Sequence, residues 1–181
     1  MKKLIIIGGL PGVGKSYICR LLIKRLKNCL YFDSDLFSKD YIGEKKIDFL
    51  NWLDEEQQGQ RLIFHRAKID KIIDDLKNYD TILLDTCFDL PPSRRMFYKF
   101  AKENDIRLVV VEVRCAEETV KQRIFEMRHE TERMIGDKKS RWDVYEKMKA
   151  AWVPIENADF IIESDKDLNG QLDKLVEKLA S

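Results

Sequence analysis

The sequence predicts an α/β protein in which a five-stranded parallel sheet lies between two layers of helices, as a three-layer sandwich. Short apolar runs alternate with segments of helical periodicity along the whole chain, which is the pattern of strand–helix–strand units. A glycine-rich stretch joins the first such strand to the first helix. The chain has 181 residues, so we expect residues 1–181 to form one domain with a sizeable core.

Composition narrows the class of protein further. The chain is 44% hydrophobic and 36% charged with a net charge of +1, which is typical of a globular domain and does not favour a nucleic-acid partner. Its four cysteines are far apart and form no metal-binding pair, so we expect reduced thiols. The first apolar run is too short for a signal peptide or a membrane span. We therefore expect a cytoplasmic protein without a membrane partner.

The elements follow in order. Strands are predicted where short apolar runs occur, at Lys3–Gly8, Cys29–Phe32, Asp80–Asp85, Ile106–Val113 and Asp159–Glu163. Helices are predicted from spacing and from the Pro91-Pro92 start, at 17–26, 47–77 with a division at Gly59, 91–104, 116–127, 142–152 and 168–179. Residues 34–46 are predicted to be a polar connection with a break at Gly43 to Lys46. The carboxyl ends of the parallel strands should surround one site.

The glycine-rich stretch between the first strand and the first helix matches G-x-x-x-x-G-K-[ST] at every fixed position, from Gly9 to Ser16. Glycines allow a backbone to wrap around phosphate groups, and the loop N–H groups and helix dipole attract the anion. Lys15 should reach the β- and γ-phosphates, and Ser16 should ligate Mg²⁺. The residues expected to contact the nucleotide here are Gly9, Pro11, Gly12, Val13, Gly14, Lys15, Ser16 and Tyr17.

Three aspartates follow predicted strands. Asp33 and Asp35 close the second strand, and their spacing places both carboxylates on one side if the backbone stays extended. One can hold water on Mg²⁺ and the other can take a proton from an acceptor hydroxyl, although both could instead cap a helix or a turn. Asp85 ends the third strand, the position of an acidic group that supports Mg²⁺.

Arginines are concentrated after the fourth strand, at Arg123, Arg128, Arg133 and Arg141. A segment carrying arginines can close over ATP and neutralise charge on the transferred group, although charge runs are usually solvated helix faces. We expect Arg123 and Arg128 to contact the nucleotide. Arg94 and Arg95 could fix the Asp85 loop, contact phosphate or lie on the surface. Structural or surface roles are expected for His65 and His129, and packing roles for Trp52, Trp142 and Trp152.

These motifs together resemble the small P-loop kinases, in particular the group of polynucleotide kinases, archaeal seryl-tRNA kinase, chloramphenicol phosphotransferase and zeta-toxin-like kinases. The Asp33-Ser34-Asp35 stretch is also similar to the D-x-D element of shikimate and gluconate kinases. The resemblance implies a P-loop nucleoside triphosphate hydrolase fold with strand order 2-3-1-4-5 and a closing lid, here at about residues 128–141. Three departures are visible. The spacing from Arg123 to Arg128 is one residue longer than in many relatives. Ser38 stands where polynucleotide kinases have an arginine, and the glycine-rich substrate loop of shikimate kinases is absent after Asp85.

The sequence therefore predicts a phosphotransferase that uses ATP and Mg²⁺ on an alcohol group of a small acceptor. Its expected catalytic residues are Lys15, Asp35 and Arg128, and its expected metal ligands are Ser16, Asp33 and Asp85. One alternative is a polynucleotide or tRNA hydroxyl kinase, which should show a basic patch formed by Lys39, Lys45, Lys46, Arg61 and Arg66. A nucleoside monophosphate kinase is a weaker alternative. Another is an ATP-binding switch or NTPase without a true acceptor.

Overall fold

A computed structural model of the chain describes residues 1–45, 58–126 and 138–180. Its strands are β1 (Lys3–Gly8), β2 (Cys29–Asp33), β3 (Thr81–Asp85), β4 (Arg107–Arg114) and β5 (Phe160–Glu163). Its helices are α1 (Lys15–Leu22), α2 (Ser34–Lys45), α3 (Gln58–Asp75), α4 (Pro91–Glu103), α5 (Glu117–Glu126), α6 (Lys138–Ala150) and α7 (Leu168–Ala180).

The five strands form one sheet in the order β2-β3-β1-β4-β5, and every pairing is parallel. This confirms the predicted sheet and its strand order. The register aligns the strand ends, since Ile7 pairs with Asp85 and Gly8 pairs with Glu112. The loops that leave β1, β2 and β3 therefore meet at one edge, as the sequence predicted.

Each face of the sheet packs against its own helices because side chains alternate along a strand. Ile5 and Ile7 of β1 belong to a buried cluster with residues of α1, α5, α6 and α7, whereas Leu4 and Ile6 belong to a second cluster with residues of α3 and α4. All four isoleucine and leucine side chains are at most 1% exposed. The two clusters make the predicted three-layer arrangement and hold the central strand between them.

Several predicted boundaries are wrong. Helix α1, predicted over 17–26, spans Lys15–Leu22. Residues 34–45, predicted as a polar connection with a break at Gly43, form helix α2 instead. The Asp33 carboxylate explains this, because it accepts hydrogen bonds from the backbone N–H groups of Asp35 and Leu36 and so caps a helix start. Helix α6 begins at Lys138 rather than Trp142, within a charged stretch whose apolar periodicity is weak. The expected helix over 47–57 and most of the expected lid lie outside the described residues.

Of the helices in the described ranges, none combines the length and the apolar character needed to cross a bilayer.

Candidate functional site

The loop between β1 and α1 has the backbone geometry that the glycine motif requires. Gly9, Gly12 and Gly14 have φ values of +148°, +78° and +99°, a region that L-residues with a side chain rarely enter. A Cβ atom on Gly9 would lie 2.5 Å from the carbonyl oxygen of Val113. On Gly12 it would lie 2.9 Å from a methyl group of Val120. The tight wrap of this loop therefore depends on its glycines.

Lys15 is the first residue of α1 and is buried, at 9% exposure. Its Nζ donates a hydrogen bond to the carbonyl oxygen of Leu10 at 2.9 Å, so the side chain folds back over the loop. Burial alone would lower its pKa, but Cys87 and the Asp85 and Asp35 carboxylates outweigh it and raise the pKa of Lys15. The ammonium group stays charged and lies near two of the aspartates singled out from the sequence.

The remaining loop residues differ in exposure. Val13 is buried at 3% exposure, and Pro11 and Ser16 are half-buried. The Tyr17 side chain is 54% exposed, on the first turn of α1. The Ser16 hydroxyl has no hydrogen-bond partner among the described residues. It is therefore available to a ligand at the start of the helix.

Asp33 is the last residue of β2, and both of its oxygens have protein contacts. Oδ1 accepts the Asp35 and Leu36 N–H groups at 3.0 and 3.3 Å, and Oδ2 lies 3.2 Å from the Tyr31 hydroxyl. The capping role, which the sequence left as an alternative, is thus present. Asp33 and Asp35 were expected on one side of the chain only if the backbone stayed extended. It does not stay extended, because α2 begins at Ser34.

Asp85 is the last residue of β3 and lies opposite Asp33 in the sheet register. It is 5% exposed, and its Oδ2 accepts a hydrogen bond from the Tyr31 hydroxyl at 3.0 Å. Burial, Asp85 and Asp33 all raise the pKa of Tyr31, so the phenol remains protonated and able to donate. Sequence reasoning missed Tyr31, although its position two residues before Asp33 places both side chains on one face of β2.

Asp35 lies in the first turn of α2, exposed to solvent. Desolvation by the surrounding protein nevertheless raises the pKa of its carboxyl group. The Lys15 charge opposes this rise, whereas Asp85 and Asp33 add to it. Such a group is accessible to an acceptor and is a better proton acceptor than an ordinary aspartate.

Arg123 on α5 reaches the glycine loop. Its Nη1 donates to the Val13 carbonyl oxygen at 3.2 Å and to Ser164 Oγ at 2.9 Å, and Ser164 Oγ donates to the same carbonyl. Arg123 therefore ties α5 and the β5–α7 connection to the loop. Arg128, Arg133 and His129 lie outside the described residues, and Arg141 is buried on α6 at 8% exposure.

Two arginines that the sequence left ambiguous have clear places. Arg94 is buried and donates hydrogen bonds to the carbonyl oxygens of Phe88, Asp89, Val153 and Pro154. It therefore fixes the loop after β3, one of the options considered.

Its neighbour Arg95 is exposed. Arg61, which the nucleic-acid alternative placed in a basic surface patch, is instead 7% exposed and paired with Asp89. That patch therefore loses one of its expected members.

Lys68 on α3 is a site residue that sequence reasoning missed. It is 1% exposed, and its Nζ lies 3.2 Å from Thr86 Oγ1 and 3.5 Å from Ser34 Oγ. Burial lowers the pKa of Lys68 to about 8. The signal was present in the sequence, because Lys68 precedes Ile72 by four positions and therefore falls on the apolar face of the helix.

The oxygen groups at this edge fit a hard divalent cation such as Mg²⁺. Ser16 offers a hydroxyl, and Asp85 and Asp33 offer carboxylate oxygens. Within the described ranges, no group of three or more His, Cys, Asp or Glu side chains forms a metal site by itself.

The sheet order, the glycine loop and the lysine at the start of α1 define a kinase-like P-loop fold. A family model described as an AAA domain (AAA_18) matches residues 5–143. Since the match covers more than half of the chain, the protein belongs to this family. No curated protein sequence matches the chain.

Solved structures share the fold at low identity. APS kinase CysC of Mycobacterium tuberculosis, in complex with AMPPNP and APS, has a TM-score of 0.66 and 16% identity, with 99% of this chain and 98% of that chain covered. Kti12 of Chaetomium thermophilum, in complex with ADP-AlF3, has a TM-score of 0.67 and 16% identity, covering 98% and 97%. A gluconokinase from Sinorhizobium meliloti 1021 has a TM-score of 0.64 and 12% identity, covering 98% and 95%.

Proposed function

We propose that this protein is an ATP-dependent kinase that transfers the γ-phosphoryl group to a hydroxyl of a small acceptor. One observation carries the proposal: the glycine loop with Lys15 lies at the same sheet edge as Asp35 and Asp85, close enough for the carboxylates to raise the Lys15 pKa. A phosphate-binding loop facing an accessible carboxylate is the arrangement that phosphoryl transfer to an alcohol requires.

In the proposed reaction, an acceptor hydroxyl oxygen forms a bond to the γ-phosphorus while the bond between that phosphorus and the β–γ bridging oxygen breaks. The hydroxyl proton passes to the Asp35 carboxylate, and ADP leaves. Lys15 neutralises charge on the β- and γ-phosphates, and the loop N–H groups of residues 12–16 hold them. Because this transition state is loose in most analyses, orienting the hydroxyl contributes more than base strength.

Mg²⁺, when bound, would neutralise the phosphate oxygens, and Ser16, Asp85 and Asp33 would hold it or its waters. Tyr17, Pro11 and Arg123 are proposed to contact the nucleotide beside the loop. Arg128 is proposed as a lid arginine that neutralises the transferred group. The single-domain organisation and the lid at about 128–141 belong to the same proposal.

The related structures support this class of reaction without naming the acceptor, because APS kinase and gluconokinase share the fold. The closer resemblance to polynucleotide kinases, chloramphenicol phosphotransferase and zeta-toxin-like kinases stays a hypothesis. A nucleic-acid acceptor is less favoured, because the burial of Arg61 removes one member of the basic patch that such a substrate would need.

The test is transfer of label from γ-labelled ATP to a mixed panel of sugars, sugar acids, sugar phosphates, nucleosides, hydroxylated antibiotics, a 5′-hydroxyl oligonucleotide and tRNA. Transfer to one small-molecule class, absent in a Lys15→Met variant, is the expected result. Transfer only to the oligonucleotide or tRNA would replace the proposed acceptor with a nucleic acid. Release of label only as inorganic phosphate would favour an NTPase or switch.

A further inference from the structure

Three polar side chains lie on the buried face of α3. Arg61, His65 and Lys68 are 7%, 6% and 1% exposed, and their spacing of four and three residues places them on one side of the helix. Ile72 continues the same face. Cations are rarely buried in such a position unless an opposite charge or a ligand compensates them.

The charges in this group do not cancel within the described residues. Arg61 is paired with Asp89, and burial, with Lys68 and Arg61 nearby, lowers the pKa of His65 well below its ordinary value, so the imidazole is neutral. Lys68 forms no ion pair with a described carboxylate. Arg61 Nε and His65 Nδ1 are also buried without a hydrogen-bond partner in the described part of the chain. Lys68 therefore has no direct ion pair among the described residues, although Asp89 and Asp35 act on it at longer range. Two polar atoms of the group also lack a described partner.

The contacts of Lys68 link its charge to two hydroxyl groups at the edge of the sheet. Its ammonium donates to the hydroxyls of Thr86 and Ser34 and lies 4.6 Å from the centre of the Phe64 ring. A hydroxyl that accepts from an ammonium keeps its own hydrogen for another acceptor. Neither hydroxyl donates to another described group. Ser34 and Thr86 are each 6% exposed, so they place two polarised O–H donors just beneath the surface, without any exposure of Lys68 itself.

These two hydroxyls flank the proposed reaction centre in the sequence. Ser34 directly precedes Asp35, and Thr86 directly follows Asp85. An acceptor whose hydroxyl contacts Asp35 would place its neighbouring atoms beside them. The positive charge of Lys68 would also offset the repulsion between Asp35 and an anionic group on the acceptor.

We propose that the hydroxyls of Ser34 and Thr86, polarised by Lys68, bind an oxyanion of the acceptor, so that the acceptor is an alcohol carrying a carboxylate, phosphate or sulfate group. This inference rests on the proposed kinase function. Lys68 is a positioning residue, because it acts through the two hydroxyls. A neutral acceptor would leave the buried ammonium with only the longer-range charges of Asp89 and Asp35 to offset it, and such a mismatch discriminates between acceptors.

Anion binding can be measured separately from phosphoryl transfer. The full chain is saturated with Mg²⁺ and a non-hydrolysable ATP analogue, so that the phosphate loop is occupied, and is titrated calorimetrically with inorganic phosphate or with acetate. We expect at least one anion to bind, and its dissociation constant to rise about tenfold or more in Lys68→Met and in Thr86→Val, as for the loss of a charge-assisted hydrogen bond. Lys68→Arg should restore part of the affinity.

Lys71→Met is the matched control, since Lys71 lies on the same helix with half of its side chain exposed and paired with Asp75. Its affinity should stay within about twofold of wild type. Tight binding of phosphate alone would indicate a phosphate or sulfate ester, and binding of acetate a carboxylate. Absence of anion binding in wild type, or equal binding in both variants, would overturn the inference.

Transfer assays separate failure of this inference from failure of the kinase proposal. Transfer to neutral alcohols in preference to their phosphate esters or acids would overturn the inference and leave the kinase standing. A protein that transfers to no acceptor would fail as a kinase, while the calorimetric result would still decide whether the anion site exists. If Lys68→Met does not fold, Thr86→Val carries the comparison.

Discussion

Asp33 and Asp85 occupy paired positions at the carboxyl ends of β2 and β3, and one tyrosine hydroxyl lies within hydrogen-bond distance of both carboxylates. The hydroxyl of Tyr31 carries a single hydrogen, so it can donate to only one carboxylate at a time. Two carboxylates held this close repel each other unless a cation lies nearby. Lys15 supplies part of that charge, and Mg²⁺ would supply more.

Replacing Tyr31 with phenylalanine tests this arrangement. Without the hydroxyl, the two carboxylates lose their common donor, so Mg²⁺ should be held in a less fixed geometry. We expect the Mg²⁺ concentration for half-maximal transfer to rise about three- to tenfold, as for one hydrogen bond. Tyr79→Phe is the control, since the Tyr79 hydroxyl has no hydrogen-bond partner among the described residues. An unchanged Mg²⁺ dependence in Tyr31→Phe would remove the metal role from this pair.

The pH dependence of transfer should report Asp35. Burial, with Asp85 and Asp33, raises the pKa of Asp35 above its ordinary 3.8, while Lys15 and Lys68 oppose the rise. Only the ionised carboxylate can accept the proton, so the rate should fall as the pH falls through this raised value. Lys68→Met removes one opposing charge and should move the acid limb of the kcat profile to still higher pH. An acid limb that does not move in that variant would contradict the coupling.

Arg94 and Arg95 are adjacent residues with opposite roles. Arg94 donates to four backbone carbonyl oxygens and holds the loop after β3, whereas Arg95 is exposed. Arg94→Ala should lower the free energy of unfolding by about 3 kcal/mol, because buried carbonyl groups lose their donor. Arg95→Ala should change it by less than about 0.5 kcal/mol. Urea unfolding of both variants measures these changes. Equal losses of stability in the two variants would contradict the structural role given to Arg94.

Lys68 should cost stability in the absence of a ligand. Its pKa falls from 10.5 to about 8 on folding, which corresponds to about 3 kcal/mol, since one pKa unit is worth about 1.4 kcal/mol. The cost is fully present below about pH 8 and disappears as the pH rises toward 10.5, so the wild type gains stability over that range. Lys68→Met should therefore be more stable than wild type at pH 7, by up to about 3 kcal/mol.

Urea unfolding at pH 7 and pH 10 measures this difference. Lys71→Met, on the exposed side of the same helix, should show no comparable change with pH. A merely structural lysine would instead make Lys68→Met less stable than wild type at both pH values. Such a loss would contradict the idea that Lys68 destabilises the fold and is retained for function.

Much of the fold follows from local signals in the sequence. The continuous apolar runs that become β1, β3 and β4 are long enough to identify, and Pro91 marks the start of α4 at the expected residue. Strand order came from the resemblance, since periodicity alone does not order strands. The start of α2 was missed although Asp33 is a typical N-cap residue, because its carboxylate was assigned to metal chemistry and the helix behind it has a weak apolar face.

Residues of the candidate site could be predicted where a sequence motif specifies them. They could not be predicted where only tertiary contacts bring them to the site. The motif placed Lys15 at the candidate site, and the predicted strand ends placed Asp85 and Asp35 there. Lys68 contacts groups 34 and 18 residues away in the chain, and Arg61 pairs with a residue 28 positions on. Helical spacing places both side chains on the buried face of α3, but only the packed structure shows which loops they meet.

The most direct test of the account is the fate of the γ-phosphoryl group in Asp35→Asn, measured with γ-labelled ATP and an acceptor that the wild type uses. Asp40→Asn is the control, on an exposed position of the same helix. We predict that transfer falls about a hundredfold or more in Asp35→Asn, that ATP still binds, and that Asp40→Asn behaves as wild type. Equal transfer in all three proteins would contradict the role of Asp35, and so would label released only as inorganic phosphate at equal rates.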